Sequence, residues 1–201
     1  MSHWLAFAIY VFITAITPGP NNLLSLTEGA KKGFRQALPL NFGILAGFSI
    51  VMLICTVLTA TVSEWIPVLM TPMQILGALY ILWLAWQTFR SSSSDWESGS
   101  ERKGSDSAFW TGFLLQFVNA KIYIYGIMSM QAYVLPHFSG QYLILSAFSF
   151  FLAFVGFACT LLWSAFGSVF RYLFSMHAKF FNTILALLLV YCAVLLLPIG
   201  G

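Results

Sequence analysis

Lys121 is the residue of this sequence with the clearest potential for chemistry. It lies about twelve residues into an apolar segment that runs from Ala108 to Leu135, which at 1.5 Å per residue is roughly 18 Å from the nearer end. An ammonium at that depth costs at least about 2.5–3.5 kcal/mol unless it has a partner or a water-filled cavity. Because no Asp or Glu lies within the apolar segments, we predict that the missing anion is a substrate. A lysine with a structural role in a water-filled crevice is the alternative.

Two amide side chains precede this lysine on the same segment. Gln116 and Asn119 are spaced i and i+3, so they share one face of a helix. Lys121 joins that face only if the helix unwinds near Asn119–Ala120–Lys121, and we predict a break there. A helix that begins after the break would present N–H groups and the positive end of its dipole to a carboxylate.

A second polar element interrupts the first apolar segment with the sequence TPGPNN, residues Thr17–Asn22. Prolines lack an N–H and push the preceding residue out of the helical region, so this stretch cannot continue a regular helix. The residues that form the break are Pro18, Gly19 and Pro20. Broken membrane helices form the mid-membrane sites of transporters, although a proline kink that only shapes packing is the alternative.

We predict that the two breaks meet in one shared binding site. The residues predicted to bind substrate there are Lys121, Asn119, Gln116, Asn21 and Asn22. Glu28, which follows the first segment, is a candidate inner gate or coupling group, or else a solvated flank. No phosphate-binding loop, triad spacing or HExxH motif occurs, so we predict no enzyme activity, no cofactor and no metal site.

Composition places these elements in a membrane. The chain has 201 residues, of which 60% are hydrophobic and 7% charged, whereas soluble domains carry roughly 25% charged residues. The net charge of +3 is small and gives no sign of a nucleic-acid partner. A membrane helix needs about 20 apolar residues, and six such segments are predicted. They run approximately over Trp4–Thr27, Leu40–Val62, Thr71–Phe89, Ala108–Leu135, Gln141–Ser168 and Phe180–Leu197.

The basic residues predict the orientation of these segments. Every Lys and Arg except Lys121 follows the first, third or fifth segment, namely Lys31, Lys32, Arg35, Arg90, Arg102, Lys103, Arg171 and Lys179. The positive-inside rule makes that side cytoplasmic, so both termini are predicted to be periplasmic. Residues 91–107 are Ser-rich and charged, and we expect a cytoplasmic linker between repeat halves 1–90 and 108–201 of one transport domain.

The two halves have opposite predicted topology, which is a transporter architecture. We therefore predict an all-α polytopic membrane protein with six helices in an inverted 3+3 repeat, in which helices one and four are broken. Similar pentamers at residues 54–58 and 158–162 (ICTVL and ACTLL) give weak support. Gly43 and Gly47 form a GxxxG pair that permits close helix approach, either within the chain or in a homo-oligomer.

Three stretches carry a family resemblance: Thr17–Asn22, Leu115–Lys121 and Asn182–Val194. Together they resemble the LysE/RhtB family of small amino-acid exporters, and the third stretch is similar to its cysteine/O-acetylserine branch. Many family members have Asp at the position of Asn21 and Pro at the position of Ala120. The cysteine/O-acetylserine branch shares both departures.

The resemblance implies an inner-membrane exporter of small neutral amino acids, foremost cysteine and O-acetylserine, that works by alternating access with protons as the candidate coupling ion. Lys121 would then pair with the substrate carboxylate. A homoserine or threonine exporter is the nearest alternative. A membrane thiol–disulfide electron carrier that uses Cys55 and Cys159 is the alternative from another class, although both cysteines also suit apolar packing.

Overall fold

The structure is a computed structural model that describes residues 3–61, 66–90 and 105–196 of the chain. All regular structure in these residues is helical, as predicted. The elements are α1 (His3–Ile16), α2 (Pro20–Lys32), α3 (Phe34–Thr61), α4 (Ile66–Arg90), α5 (Ser105–Val118), α6 (Ala120–Ser129), a π-helical turn (Met130–Val134), α7 (Leu135–Phe138), α8 (Tyr142–Val169), α9 (Arg171–Met176) and α10 (Ala178–Leu196).

The described residues contain two candidate membrane spans, or up to four. Helices α3 and α8 have 28 residues each and are long and apolar enough to cross a membrane. Two further spans arise if each bent pair is counted as one, with a bend of 49° between α1 and α2 and a bend of 61° at the second break. Helices α4 and α10 pack against each other. The helical membrane class is thus confirmed, while the six-span inverted repeat stays a prediction.

Several helix bounds differ from the predicted segments. Helix α3 begins at Phe34 rather than Leu40, because helical hydrogen bonding continues beyond the apolar residues into the polar flank. The third predicted segment begins too late, since α4 starts at Ile66 rather than at Thr71. The predicted linker ends earlier than expected, since α5 starts at Ser105, and its residues 91–104 lie outside the described residues.

Backbones meet closely at the end of the molecule that carries the loop lysines and arginines, residues 31–35 and 168–179, here called the basic end. The Phe34 N–H donates to Ser168 Oγ at 3.1 Å and joins the start of α3 to the end of α8. A Cβ on Gly43 would overlap the carbonyl of Phe109 on α5, and a Cβ on Gly29 would overlap the carbonyl of Ser164 on α8. The predicted GxxxG pair therefore serves packing within the chain.

A fully buried polar cluster of Ser25, Asn41 and Ser164 lies close to these contacts. Ser25 Oγ donates to Asn41 Oδ1 at 3.0 Å, and Asn41 Nδ2 donates to Ser164 Oγ at 2.9 Å. Ser164 Oγ in turn donates to the Ser25 carbonyl at 3.0 Å. Because each group has a partner, the cluster ties α2, α3 and α8 together without an unsatisfied polar atom.

Side chains rather than backbones form the contacts at the opposite end, here called the aromatic end. Its rings belong to His3, Trp4, Phe7, Tyr133, His137, Phe138 and Phe148. The Trp4 and Phe148 rings stack with centroids 6.0 Å apart, and His3 Nε2 lies 2.9 Å from the Tyr133 carbonyl. The contacts at this end are therefore mainly between rings, whereas the basic end includes close approaches to backbone carbonyls.

Candidate functional site

The first helix break lies between α1 and α2, at the TPGPNN element. Thr17 and Pro18 are exposed, and Gly19 is extended with φ −171° and ψ 174°. The prolines remove two backbone donors, so carbonyls at the end of α1 are left for other partners. Asn22 Nδ2 takes two of them, donating to the Ala15 carbonyl at 2.9 Å and the Thr17 carbonyl at 2.8 Å.

The second break is a single residue, Asn119, with φ −89° and ψ 86°. Helix α5 ends before it at Val118, and α6 begins after it at Ala120. The break lies where the sequence predicts it. The Lys121 ammonium lies at the first break, with its Nζ 2.9 Å from the Thr17 carbonyl.

Three buried amides connect the two breaks. Gln116 Nε2 donates to the Gly112 carbonyl at 2.7 Å. Because a carbonyl can only accept, this bond identifies the nitrogen end of the Gln116 amide. Asn21 pairs with that amide in both directions, at 2.8 Å from Asn21 Nδ2 to Gln116 Oε1 and 3.1 Å from Gln116 Nε2 to Asn21 Oδ1. Asn119 Nδ2 then donates to Asn21 Oδ1 at 3.0 Å.

This chain of hydrogen bonds leaves one acceptor over. Because its nitrogen is committed to Asn21, Asn119 keeps its Oδ1 as an acceptor, and that atom is buried with no hydrogen-bond partner in the described part of the chain. A buried polar atom without a partner costs about 1–3 kcal/mol. An unpartnered buried acceptor needs an explanation, and at a helix break a ligand that donates a hydrogen bond to it is one.

The Lys121 ammonium joins the second break directly to the first. Its Nζ donates to the Thr17 carbonyl at 2.9 Å, to Thr17 Oγ1 at 3.1 Å and, more weakly, to the Pro18 carbonyl at 3.4 Å. These oxygens lie at the C-terminal end of α1, where the helix dipole favours a cation. A Cβ on Gly19 would lie 2.9 Å from Nζ, so glycine permits this approach. The acceptors of this ammonium are thus backbone and hydroxyl oxygens of the first break.

A small cavity of about 30 Å³ lies between the breaks. The lining residues at or near the breaks are Thr14, Gly19, Asn21, Asn22, Asn119 and Lys121, and a second set from the other helix faces comprises Phe48, Ile122, Tyr125, Gly156 and Thr160. It has room for a water molecule or two and is too small for an amino acid. Sequence reasoning missed the second set, because aromatic and small residues on apolar helices look like ordinary core.

Glu28 and the cysteine pair do not belong to this cavity. Glu28 Oε1 accepts from Lys32 Nζ at 2.6 Å, one helical turn away on α2, and its role as a gate stays a prediction. Cys55 and Cys159 are buried and free. The third cysteine is nearer to the breaks than expected, since Cys192 Sγ lies 3.8 Å from the Pro18 carbonyl.

Comparison with known proteins identifies the family. Residues 12–199 match the model of the LysE type translocator. The chain belongs to the LysE family. Cysteine/O-acetylserine efflux proteins of Salmonella typhimurium strain LT2 and Escherichia coli strain K12 are each 39% identical over 189 residues, which is 94% of this chain and 94% of theirs. No solved structure matches. LysE membership confirms the predicted family and the prediction of a multi-pass inner-membrane transporter.

Proposed function

We propose that this LysE-family transporter exports small neutral amino acids, with cysteine and O-acetylserine as its main substrates, from a site between the two helix breaks. The observation that carries the proposal is the meeting of Lys121 with the broken end of α1 beside a cavity. Both charges of a zwitterion find complementary groups there. The 39% identity of this chain to cysteine/O-acetylserine efflux proteins supports the choice of substrate.

The substrate binds by exchanging partners with Lys121. The substrate's ammonium takes over the Thr17 and Pro18 carbonyls and donates to the free Oδ1 of Asn119. Lys121, released from those carbonyls, pairs with the substrate carboxylate. An ammonium–carboxylate hydrogen bond is about twice as strong as a neutral one, which offsets the loss of the carbonyl contacts. The amides of Asn21, Asn22 and Gln116 hold the two helix breaks in position around the substrate.

Transport follows from widening this cavity on alternate sides. The backbone contacts of Gly29 and Gly43 make the basic end rigid, while the side-chain contacts of the aromatic end are able to separate. Six spans in an inverted repeat, with both termini periplasmic, would make the aromatic end the exit. Protons are the proposed coupling ion. A homoserine or threonine exporter would use the same head-group contacts and differ only in how it binds the side chain.

Uptake into everted membrane vesicles tests the proposal. Radiolabelled cysteine, O-acetylserine, threonine and homoserine are offered in turn to vesicles that contain equal amounts of transporter. We expect accumulation of the first two, and at least about a tenfold loss in Lys121→Ala, because a hydrogen bond to a charged group contributes about 1.5–3 kcal/mol. Lys179→Ala, which removes an exposed lysine at the basic end, is the matched control.

Two outcomes would refute parts of the proposal. Full uptake by Lys121→Ala would show that the site is elsewhere. A Cys55→Ser, Cys159→Ser double variant that loses uptake while keeping its abundance would favour the thiol–disulfide carrier instead, since neither cysteine lines the cavity.

A further inference from the structure

We propose that the Phe48 ring, which packs on Gly156, is the wall that limits the length of the substrate side chain. The inference rests on the proposed function, because it assigns the part of the cavity that the head group does not occupy. Phe48 lies on α3 and Gly156 on α8, so the wall is formed between the two long helices.

The residues that line the cavity are of two kinds. Lys121, Asn119 and the asparagines of the first break are polar, while Phe48, Ile122 and Tyr125 carry apolar or aromatic groups. We infer that the charged head group lies against the polar residues, so that the side chain projects to the side of the rings. A hydrophobic wall placed there discriminates by size.

Of the two rings on that side, Phe48 is the one that is held by packing alone. The Tyr125 hydroxyl donates to the Leu152 carbonyl at 3.2 Å, which fixes the tyrosine to α8. Phe48 has no polar atom and lies edge-on to Tyr125, with ring centroids 5.8 Å apart. It is 4% exposed, so its position depends on the surface against which it packs.

Gly156 is that surface. A Cβ on Gly156 would overlap the Phe48 ring, so the ring occupies space that only glycine leaves open. We infer that a side chain at position 156 takes up space at the cavity, since Gly156 and the Phe48 ring both line it. Shortening residue 48 would have the reverse effect and lengthen the cavity. A smaller residue 48 and a larger residue 156 should therefore have opposite effects on the length of the cavity.

The length of side chain that the cavity accepts is measured by competition against the uptake of radiolabelled cysteine in everted vesicles. Unlabelled methionine, whose side chain is longer than that of cysteine, is the competitor. In Phe48→Leu we expect methionine to compete about tenfold more strongly relative to unlabelled cysteine, since each methylene that fits a hydrophobic pocket is worth about tenfold or more. Gly156→Ala should weaken both competitors, methionine more, and the double variant should return toward the wild-type ratio.

Phe42→Leu is the matched control, because Phe42 lies on the same helix but is 49% exposed and does not line the cavity. Its ratio should stay at the wild-type value. Phe48→Val, which also shortens the side chain, replaces Phe48→Leu if that variant is poorly expressed.

If methionine competes no better relative to cysteine in the expressed Phe48 variant, the Phe48 ring does not limit the substrate side chain, even where transport is intact. Phe48→Leu and Gly156→Ala variants that change the ratio in the same direction would overturn the inference as well. If the wild type carries another amino acid, the ratio is measured against that substrate and judged in the same way. Absence of amino-acid uptake by the wild type would refute the proposed function and this inference together.

Discussion

The two helix breaks do the same thing to the backbone but bring opposite chemistry to the site. The first, at Thr17–Gly19, offers acceptors that are mainly backbone carbonyls. The second, at Asn119, offers donors that are side chains, the Lys121 ammonium and the Asn119 amide. Carbonyls come with any residue, so the first break depends only on the chain staying broken. The second break depends on the identity of each side chain.

The first break should be most sensitive to changes that repair it. A Pro18→Ala, Pro20→Ala variant restores two N–H groups and lets the helix continue, which withdraws the carbonyls from Lys121. Proline disfavours a helix interior by about 3 kcal/mol, so removing it favours the continuous helix, and we expect uptake to fall about a hundredfold. Pro39→Ala, in the unbroken helix α3, is the control. Normal uptake by the double variant would mean that the break itself is dispensable.

The second break should respond to the loss of a single amide. Asn119→Leu removes the donor to Asn21 and the free acceptor, while keeping the size of the side chain. We expect about a tenfold loss of cysteine uptake, since one buried hydrogen bond and one unsatisfied partner together cost about 1–3 kcal/mol. Michaelis constants from initial rates test this, and a value equal to that of the wild type would remove Asn119 from the site.

A side-chain change at the first break should matter less. Thr17→Val removes the hydroxyl that lies 3.1 Å from Lys121 Nζ but leaves the carbonyl at 2.9 Å. We expect about a fivefold loss, from a net contribution of about 1 kcal/mol per hydrogen bond, and Thr17→Ser should restore uptake. If Thr17→Val were as damaging as Asn119→Leu, the contrast between the breaks would be wrong.

The smallest effect is expected away from both breaks. Glu28→Gln disrupts the pair with Lys32 on one face of α2, and i,i+4 pairs contribute about 0.3–0.5 kcal/mol. Uptake driven by a pH gradient should therefore stay within about twofold of the wild type. Gradient-driven uptake that disappears while counterflow exchange persists would instead identify Glu28 as the coupling group.

The positions of both breaks could be predicted from the sequence for definite reasons. Two prolines exclude a regular helix at Thr17–Asn22, and a lysine at mid-depth that shares no face with Gln116 and Asn119 requires the second break. The meeting of the breaks followed from asking where the ammonium finds a partner. Helix ends were less well predicted, as at Phe34, because hydropathy marks the membrane boundary and not the end of the hydrogen-bonded helix.

The partners of Lys121 could not be read from residue types. A search for an anion pointed to a substrate, whereas the described contacts are to carbonyls, which are present at every position and leave no mark in a sequence. The Phe48–Gly156 wall was invisible for a related reason. An aromatic residue and a glycine on apolar helices are typical of packing, and only their contact across two helices sets them apart.

The buried cluster of Ser25, Asn41 and Ser164 has a consequence for how the protein is made. A chain that has been synthesised only through α3 holds Ser25 and Asn41 but lacks Ser164, one of the two acceptors of the Asn41 amide, the other being the Ala37 carbonyl on the same helix. Chains begin to fold from the N-terminal end during synthesis. A nascent chain stalled before residue 164 would therefore have one Asn41 N–H without its native acceptor.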